Sequence, residues 1–334
     1  MTEPTINCLK DCIAQKYTKD RGKPLVGHFQ KVMAVAFSPD GTKIVSGDLQ
    51  IFIQALNNKS NVILWDISTP NNINKHVFFG VWNSSSMAFS LDGKYVIANL
   101  DITDCVVLWN ISDLNDIRRL DNTIGTIFGE GHGRFTLVAF SPDGKSVFSC
   151  GNKFTVWDIS NPKNIISRQL LMDLSEGSVF SPDGRLVASR GDNTFVIKDV
   201  SGSEVIEYKP VGEINVGKIY KLAFSPDGKT VISYGFKLLL WDVSDLNNIT
   251  NRTLFDVLDF MKFLEANIPK YVVTSLIFSH DGKKIVLGHL DGFILLDIDN
   301  PNNQVVINNI GMKVHSMAFS PDDKQIVTGG ESTG

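Results

Sequence analysis

An all-β chain built by repetition of one antiparallel unit is the fold class this sequence predicts, on three observations. The pentapeptide Phe-Ser-Pro-Asp-Gly, or a near copy, recurs seven times along 334 residues. An apolar strand-length segment stands on each side of it. A second apolar segment ending in Trp-Asp, or a variant, follows most copies. Self-similarity at a fixed period outranks local propensity, because each repeat is one supersecondary unit that needs its neighbours to bury its faces.

The copies are Phe37-Ser-Pro-Asp-Gly41, Phe89-Ser-Leu-Asp-Gly93, Phe140-Ser-Pro-Asp-Gly144, Phe180-Ser-Pro-Asp-Gly184, Phe224-Ser-Pro-Asp-Gly228, Phe278-Ser-His-Asp-Gly282 and Phe319-Ser-Pro-Asp-Asp323. Their Phe-to-Phe spacings are 52, 51, 40, 44, 54 and 41. Proline presets φ, aspartate bonds back to its own turn and glycine accepts a positive φ, so each copy reads as the turn of a hairpin. The strand before it, such as Val32–Phe37, is strand a, and the strand after it, such as Lys43–Ser46, is strand b. Strand c is the Trp-Asp segment: Val62–Asp66, Val106–Asn110, Phe154–Asp158, Phe195–Asp199, Leu238–Asp242 and Phe293–Asp297. A short stretch before the next strand a supplies strand d.

These residues resemble the WD-repeat β-propeller family over roughly residues 24–330. Trp-Asp is intact at 65–66, 157–158 and 241–242, and Gly-His stands at Gly27-His28 and Gly131-His132. The resemblance implies an all-β, seven-bladed β-propeller of four-stranded antiparallel blades. It also implies a structural hydrogen-bond network, for which His28, Ser46 and Trp65, and His132, Ser149 and Trp157, supply three members each. The Asp expected before strand c is absent in the third repeat. Only six complete blades are written in order, so the N-terminal segment is expected to close the seventh. Lys23–His28 reads as its strand d. Thr5–Asp11 reads as its strand c or, with Ile6, Leu9, Ile13 and Tyr17 on one face, as a short helix, or as a disordered tail. The domain expectation is a tail or closing segment at 1–23 and a propeller at 24–334.

Composition narrows the function. Net charge is −4 and no stretch holds four cations together, which argues against a nucleic-acid or anionic-membrane surface. No apolar run reaches the length that spans a bilayer, and no secretory signal is visible, so a cytoplasmic location is expected. Four cysteines do not make a disulfide framework. Gly330-Glu-Ser-Thr-Gly334 matches a hydrolase elbow without the helix, Asp and His that must follow it. Gly129-Glu-Gly-His-Gly133 precedes a strand rather than a helix, unlike a phosphate loop. The histidines show no metal-ligand spacing. The expectation is a protein with no catalytic activity, no metal and no cofactor.

Insertions mark the binding side. The a–b and c–d turns lie at one end of each blade and stay short, so length variation falls on the b–c and d–a connections opposite. The long ones are 47–61, 125–134 and 253–267. They carry the expected partner-binding residues Phe52, Leu56, Phe128, His132, Phe255, Phe260 and Phe263. Within 253–267, a capping Thr253 and the spacing of Leu254, Leu258, Met261 and Leu264 predict a helix. The resemblance implies a scaffold or adaptor for a protein or peptide partner, monomeric on its own. The alternative is a propeller module of a larger protein or enzyme whose activity lies outside this chain.

Overall fold

The structure is a computed structural model. It describes residues 5–10, 13–17, 25, 27–28, 30–48, 61–69, 72–79, 84–100, 105–114, 118–119, 137–150, 154–161, 164–170, 177–190, 195–202, 204–210, 217–256, 273–290, 292–308, 310 and 312–332. Two compact units are present, Met1–Leu171 with Gly311–Gly334, and Met172–Ile310.

The first unit contains three four-stranded antiparallel blades in chain order. Blade one runs from Val32–Phe37 through Lys43–Asp48 and Asn61–Asp66 to Asn74–Phe79. Blade two runs from Met87–Phe89 to Arg118–Arg119, and blade three from Leu137–Phe140 to Ile166–Leu170. The second unit contains blades four, five and six, which begin at Val179–Phe180, Lys221–Phe224 and Val273–Phe278.

The first unit holds one further four-stranded sheet, made from both ends of the chain. Met312–Phe319 and Gln325–Ser332 form its hairpin. Thr5–Lys10 pairs with Gln325–Ser332 in parallel, with Thr5 opposite Gln325 and Leu9 opposite Gly329. Ile13–Tyr17 then pairs antiparallel with Thr5–Lys10. Two expectations are corrected here, and one open alternative is decided. Six blades are antiparallel meanders, while this sheet is mixed. Of the readings open for residues 5–11, the strand holds and the helix does not: Thr5–Lys10 lies beside the second strand of the hairpin, and Ile13–Tyr17 is a strand as well. The outermost strand is Ile13–Tyr17, not Lys23–His28, of which the described residues 25, 27 and 28 lie outside any strand. The backbone groups along Gln325–Ser332 provide the reason. An open strand edge offers unpaired donors and acceptors, and pairing them outweighs the weak helical spacing of Ile6, Leu9, Ile13 and Tyr17.

The apolar run of each strand c follows from burial on both faces. In blade one, Ile63 and Trp65 pack with Val32, Ile44 and Val327, while Val62 and Leu64 pack with Val96 and Val107 of blade two. In blade five, Leu239 and Trp241 pack against Phe195 and Ile197 of blade four, and Leu238 and Leu240 against Ile285 and Ile294 of blade six. Strand periodicity of two thus sends the tryptophan toward the preceding sheet each time.

One local design builds the a–b turns. In blade one the Ser38 hydroxyl donates to Asp40 Oδ1 at 2.6 Å and accepts from Lys43 N–H at 2.8 Å. Gly41 N–H donates to Ser38 O at 2.9 Å, with φ at 69°. The same serine-to-aspartate bond recurs at Ser90, Ser141, Ser181, Ser225, Ser279 and Ser320.

Candidate functional site

Blade one contains a buried polar chain. The Trp65 indole N–H donates to Ser46 Oγ at 2.7 Å. Ser46 Oγ lies 2.6 Å from His28 Nε2, and His28 Nδ1 lies 3.1 Å from Asp48 Oδ2. All four residues are buried. A proton on Nδ1 lets His28 donate to the Asp48 carboxylate and accept the Ser46 hydroxyl proton at Nε2. Each polar group then has a partner, as burial demands. Asp48 escapes the sequence reading, which expects the aspartate just before strand c. It stands instead two residues after Ser46, at the end of strand b.

Two further tryptophans keep part of this arrangement. Trp157 N–H donates to Ser149 Oγ at 3.0 Å, and Trp241 N–H to Ser233 Oγ at 2.8 Å. His132 lies outside the described residues. So do Phe52, Leu56, Phe128, Phe260 and Phe263.

Phe255 is described, and its setting corrects the expected helix start. Thr250–Asp256 is strand d of blade five, with Thr253 opposite Leu239 and Phe255 opposite Leu238. Leu254 and Phe255 are half-buried against the core shared by blades five and six. The bulge between Leu238 and Leu239 explains the misreading. It inserts one residue into strand d, so two successive apolar side chains interrupt the alternation and imitate a helical face.

The second polar gathering is a pocket of about 630 Å³ in the second unit, between blades five and six. Register places its walls at one end of the blades: Thr230 opposes Asp242, and Asp242 opposes Thr250. This is the end that carries the a–b and c–d turns. The blade-five wall includes Asp227, Lys229, Asp242 and Arg252, and the blade-six wall includes Phe278 and Ile298. Asp227 Oδ1 accepts from the Ser225 hydroxyl and Lys229 N–H, and Asp242 Oδ1 from the Ser244 hydroxyl and N–H. Those bonds hold both carboxyls below their usual range, although the neighbouring Asp227 charge opposes the effect at Asp242.

The same chemistry sets the other turns. At Asp40 partial burial acts upward, but bonds from Ser38 and Thr42 and the nearby Lys43 hold the carboxyl down to about 2. Among the described residues, no group of three or more His, Cys, Asp or Glu is arranged to hold a metal ion. No helix among them is long and apolar enough to cross a membrane.

Comparison with known proteins agrees with this architecture. The family model described as WD domain, G-beta repeat (WD40) matches residues 20–66 and 308–333. Those segments include the blade-one network and the hairpin at the end of the chain. An uncharacterised WD repeat-containing protein from Synechocystis sp. is 28% identical over 161 residues, which covers 47% of this chain and 41% of that protein. The matched region thus spans about two fifths of the relative's length. With the repeated Phe-Ser-Pro-Asp-Gly hairpins and the four-stranded antiparallel blades, these matches support the likeness of the chain to the WD-repeat β-propeller family.

Proposed function

We propose that the chain is a non-catalytic scaffold or adaptor that binds a protein or peptide partner. WD-repeat propellers are typically protein-interaction modules and are generally non-catalytic, which supports the coarse reading. The carrying observation is the contrast between the two ends of the blades. The a–b turns repeat one hydrogen-bonded design, whereas connection length varies at the b–c and d–a end. Loops that vary on a rigid scaffold are where recognition concentrates.

On this reading the partner contacts fall within 48–61, 125–134 and 253–267. Phe52, Leu56, Phe128, His132, Phe260 and Phe263 are the anchors, because aromatic side chains dominate binding energy. Phe255 has a mixed role, since its side chain already packs on the blade-five core. The protein acts in the cytoplasm, is monomeric without its partner, and uses neither nucleic acid nor membrane. The second reading is a propeller module of a larger protein, favoured by the partial span of the Synechocystis relative.

Affinity capture with the full chain tests the proposal. Replacing residues 49–60 or 125–134 by a short Gly-Ser linker should remove a specific partner and leave the melting temperature within a few degrees. Unchanged capture by both variants would move the interaction away from this end of the blades.

A further inference from the structure

We infer that the pocket between blades five and six is a docking site for an arginine side chain carried on a segment of a partner protein. This site lies at the end of the blades opposite the b–c and d–a connections and stands independently of them.

In blade four the chain fills the corresponding place itself. Arg185 occupies the turn position that is Lys229 in blade five, five residues after the Phe of each turn. Its Nε and Nη2 both donate to Asp199 Oδ2, at 2.9 and 2.8 Å. The Asp183 charge adds to the attraction. Asp183 and Asp199 correspond to Asp227 and Asp242 of blade five. The backbone matches as well: Val200 N–H donates to Arg185 O, and Val243 N–H to Lys229 O, at 2.9 and 2.8 Å. This blade end is therefore shaped to receive a guanidinium between two carboxylates.

In blade five the Lys229 ammonium draws on Asp227 only through its charge, and among the described residues no cationic group bonds to either carboxylate. Asp227 and Asp242 each spend one oxygen on their own turn, and among the described residues neither forms an ion pair. Lys229 and Arg252 line the same pocket but stay beyond ion-pair distance of both. Arg252 is directed elsewhere, its Nη2 donating to Ile298 O at 3.4 Å. Two ionised carboxylates that disfavour one another thus face a pocket of about 630 Å³. A planar fork donor suits them better than a point charge does. Phe278 and Ile298 supply an apolar wall for the methylene stem of an arginine. The volume exceeds what one guanidinium fills and leaves room for the backbone that would flank it.

The test is a titration of the isotope-labelled full chain with acetyl-Gly-Arg-Gly-amide, followed by backbone-amide NMR. The neutral citrulline tripeptide and guanidinium chloride at matched ionic strength serve as controls. Saturable shifts confined to residues 225–230, 240–244 and 278–282 are expected for the arginine tripeptide, with at least tenfold weaker binding for either control. Asp242→Asn should weaken the arginine tripeptide at least tenfold. Lys229→Arg should do the same while the protein stays folded, because it supplies the guanidinium that blade four already carries. If Asp242→Asn disturbs the c–d turn, Lys229→Arg decides alone. The inference is overturned by absence of saturable shifts at these residues, by equal binding of the citrulline tripeptide, or by unchanged affinity in folded Lys229→Arg. Saturation by guanidinium alone at the same concentration also overturns it, since the pocket would then take a small cation rather than a protein segment.

Discussion

In blade one, the Trp65 indole donates to Ser46, and Ser46 continues to His28 and Asp48. In blade five, the Trp241 indole donates to Ser233, and the described bonds add no histidine. Trp241 has an aromatic neighbour instead: Phe195 of blade four meets it edge-on, with ring centroids 4.6 Å apart. The indole–serine bond is therefore the shared part, and the blades differ in what else fixes the tryptophan. A polar chain sets a single geometry but leaves several orphans when one member is lost. Apolar packing relies on area and shape, and loses roughly in proportion to the volume removed.

The largest effect should come from the tryptophans. Trp65→Ala and Trp241→Ala should each lower stability by about 3–5 kcal/mol, read from urea unfolding. Trp241 should lie at the upper end, because Phe195 loses its partner in the same cavity. If Trp241→Ala costs much less than Trp65→Ala, packing does not replace the polar chain.

Serine separates the two blades more sharply. Ser46→Ala strands the Trp65 N–H and His28 Nε2 together, whereas Ser233→Ala strands one indole N–H. Each buried orphan costs about 1–3 kcal/mol, so Ser46→Ala should exceed Ser233→Ala by about that amount. Equal losses would mean that His28 Nε2 finds another donor and that the chain is not coupled.

Acid acts on both blades alike. The carboxyls of Asp40 and Asp66 in blade one, and of Asp227 and Asp242 in blade five, sit below their unfolded values. A depressed folded pKa gives stability that is complete above the unfolded pKa of about 4 and lost as pH falls through the folded value. The melting temperature should therefore fall from about pH 5 toward about pH 2, and Asp40→Asn should shallow that fall. A melting temperature that does not change over this range would show that solvent screening cancels these exposed turn bonds.

The sequence was legible where the chemistry is local. Ser38, Asp40 and Gly41 make their turn within a few residues, and Val62–Trp65 announces burial on both faces by an unbroken apolar run. Strands d were faint because they sit at blade edges. The strand Arg118–Arg119 has no apolar pattern, and the bulge beside Leu238 hides that of Leu254 and Phe255. The pairing of Thr5–Lys10 with Gln325–Ser332 joins opposite ends of the chain, and nothing within either segment encodes a parallel register. Asp48 was in plain sight, but its role depends on His28 twenty residues away. The pocket depends on two blades at once, so no single repeat displays it.

The smallest effect tests the turn itself. Six a–b turns place glycine at the left-handed position, with φ between 67° and 71°, and the seventh places Asp323 there at 55°. A side chain in that conformation costs roughly 1–2 kcal/mol, and less for aspartate, which tolerates it through local hydrogen bonds. Asp323→Gly removes the strain but enlarges the unfolded ensemble by an amount worth about 0.5–1 kcal/mol. The net gain should be under about 1 kcal/mol. Leu91→Pro in blade two works from the opposite side. Leu91 is 67% exposed and stands where five sister turns carry proline. Fixing its φ should gain about 0.4–1 kcal/mol by restricting the unfolded chain. The double variant should add, since the two turns lie in different sheets. A loss of stability in Leu91→Pro would show that the blade-two turn departs from the backbone geometry of its proline-bearing sisters.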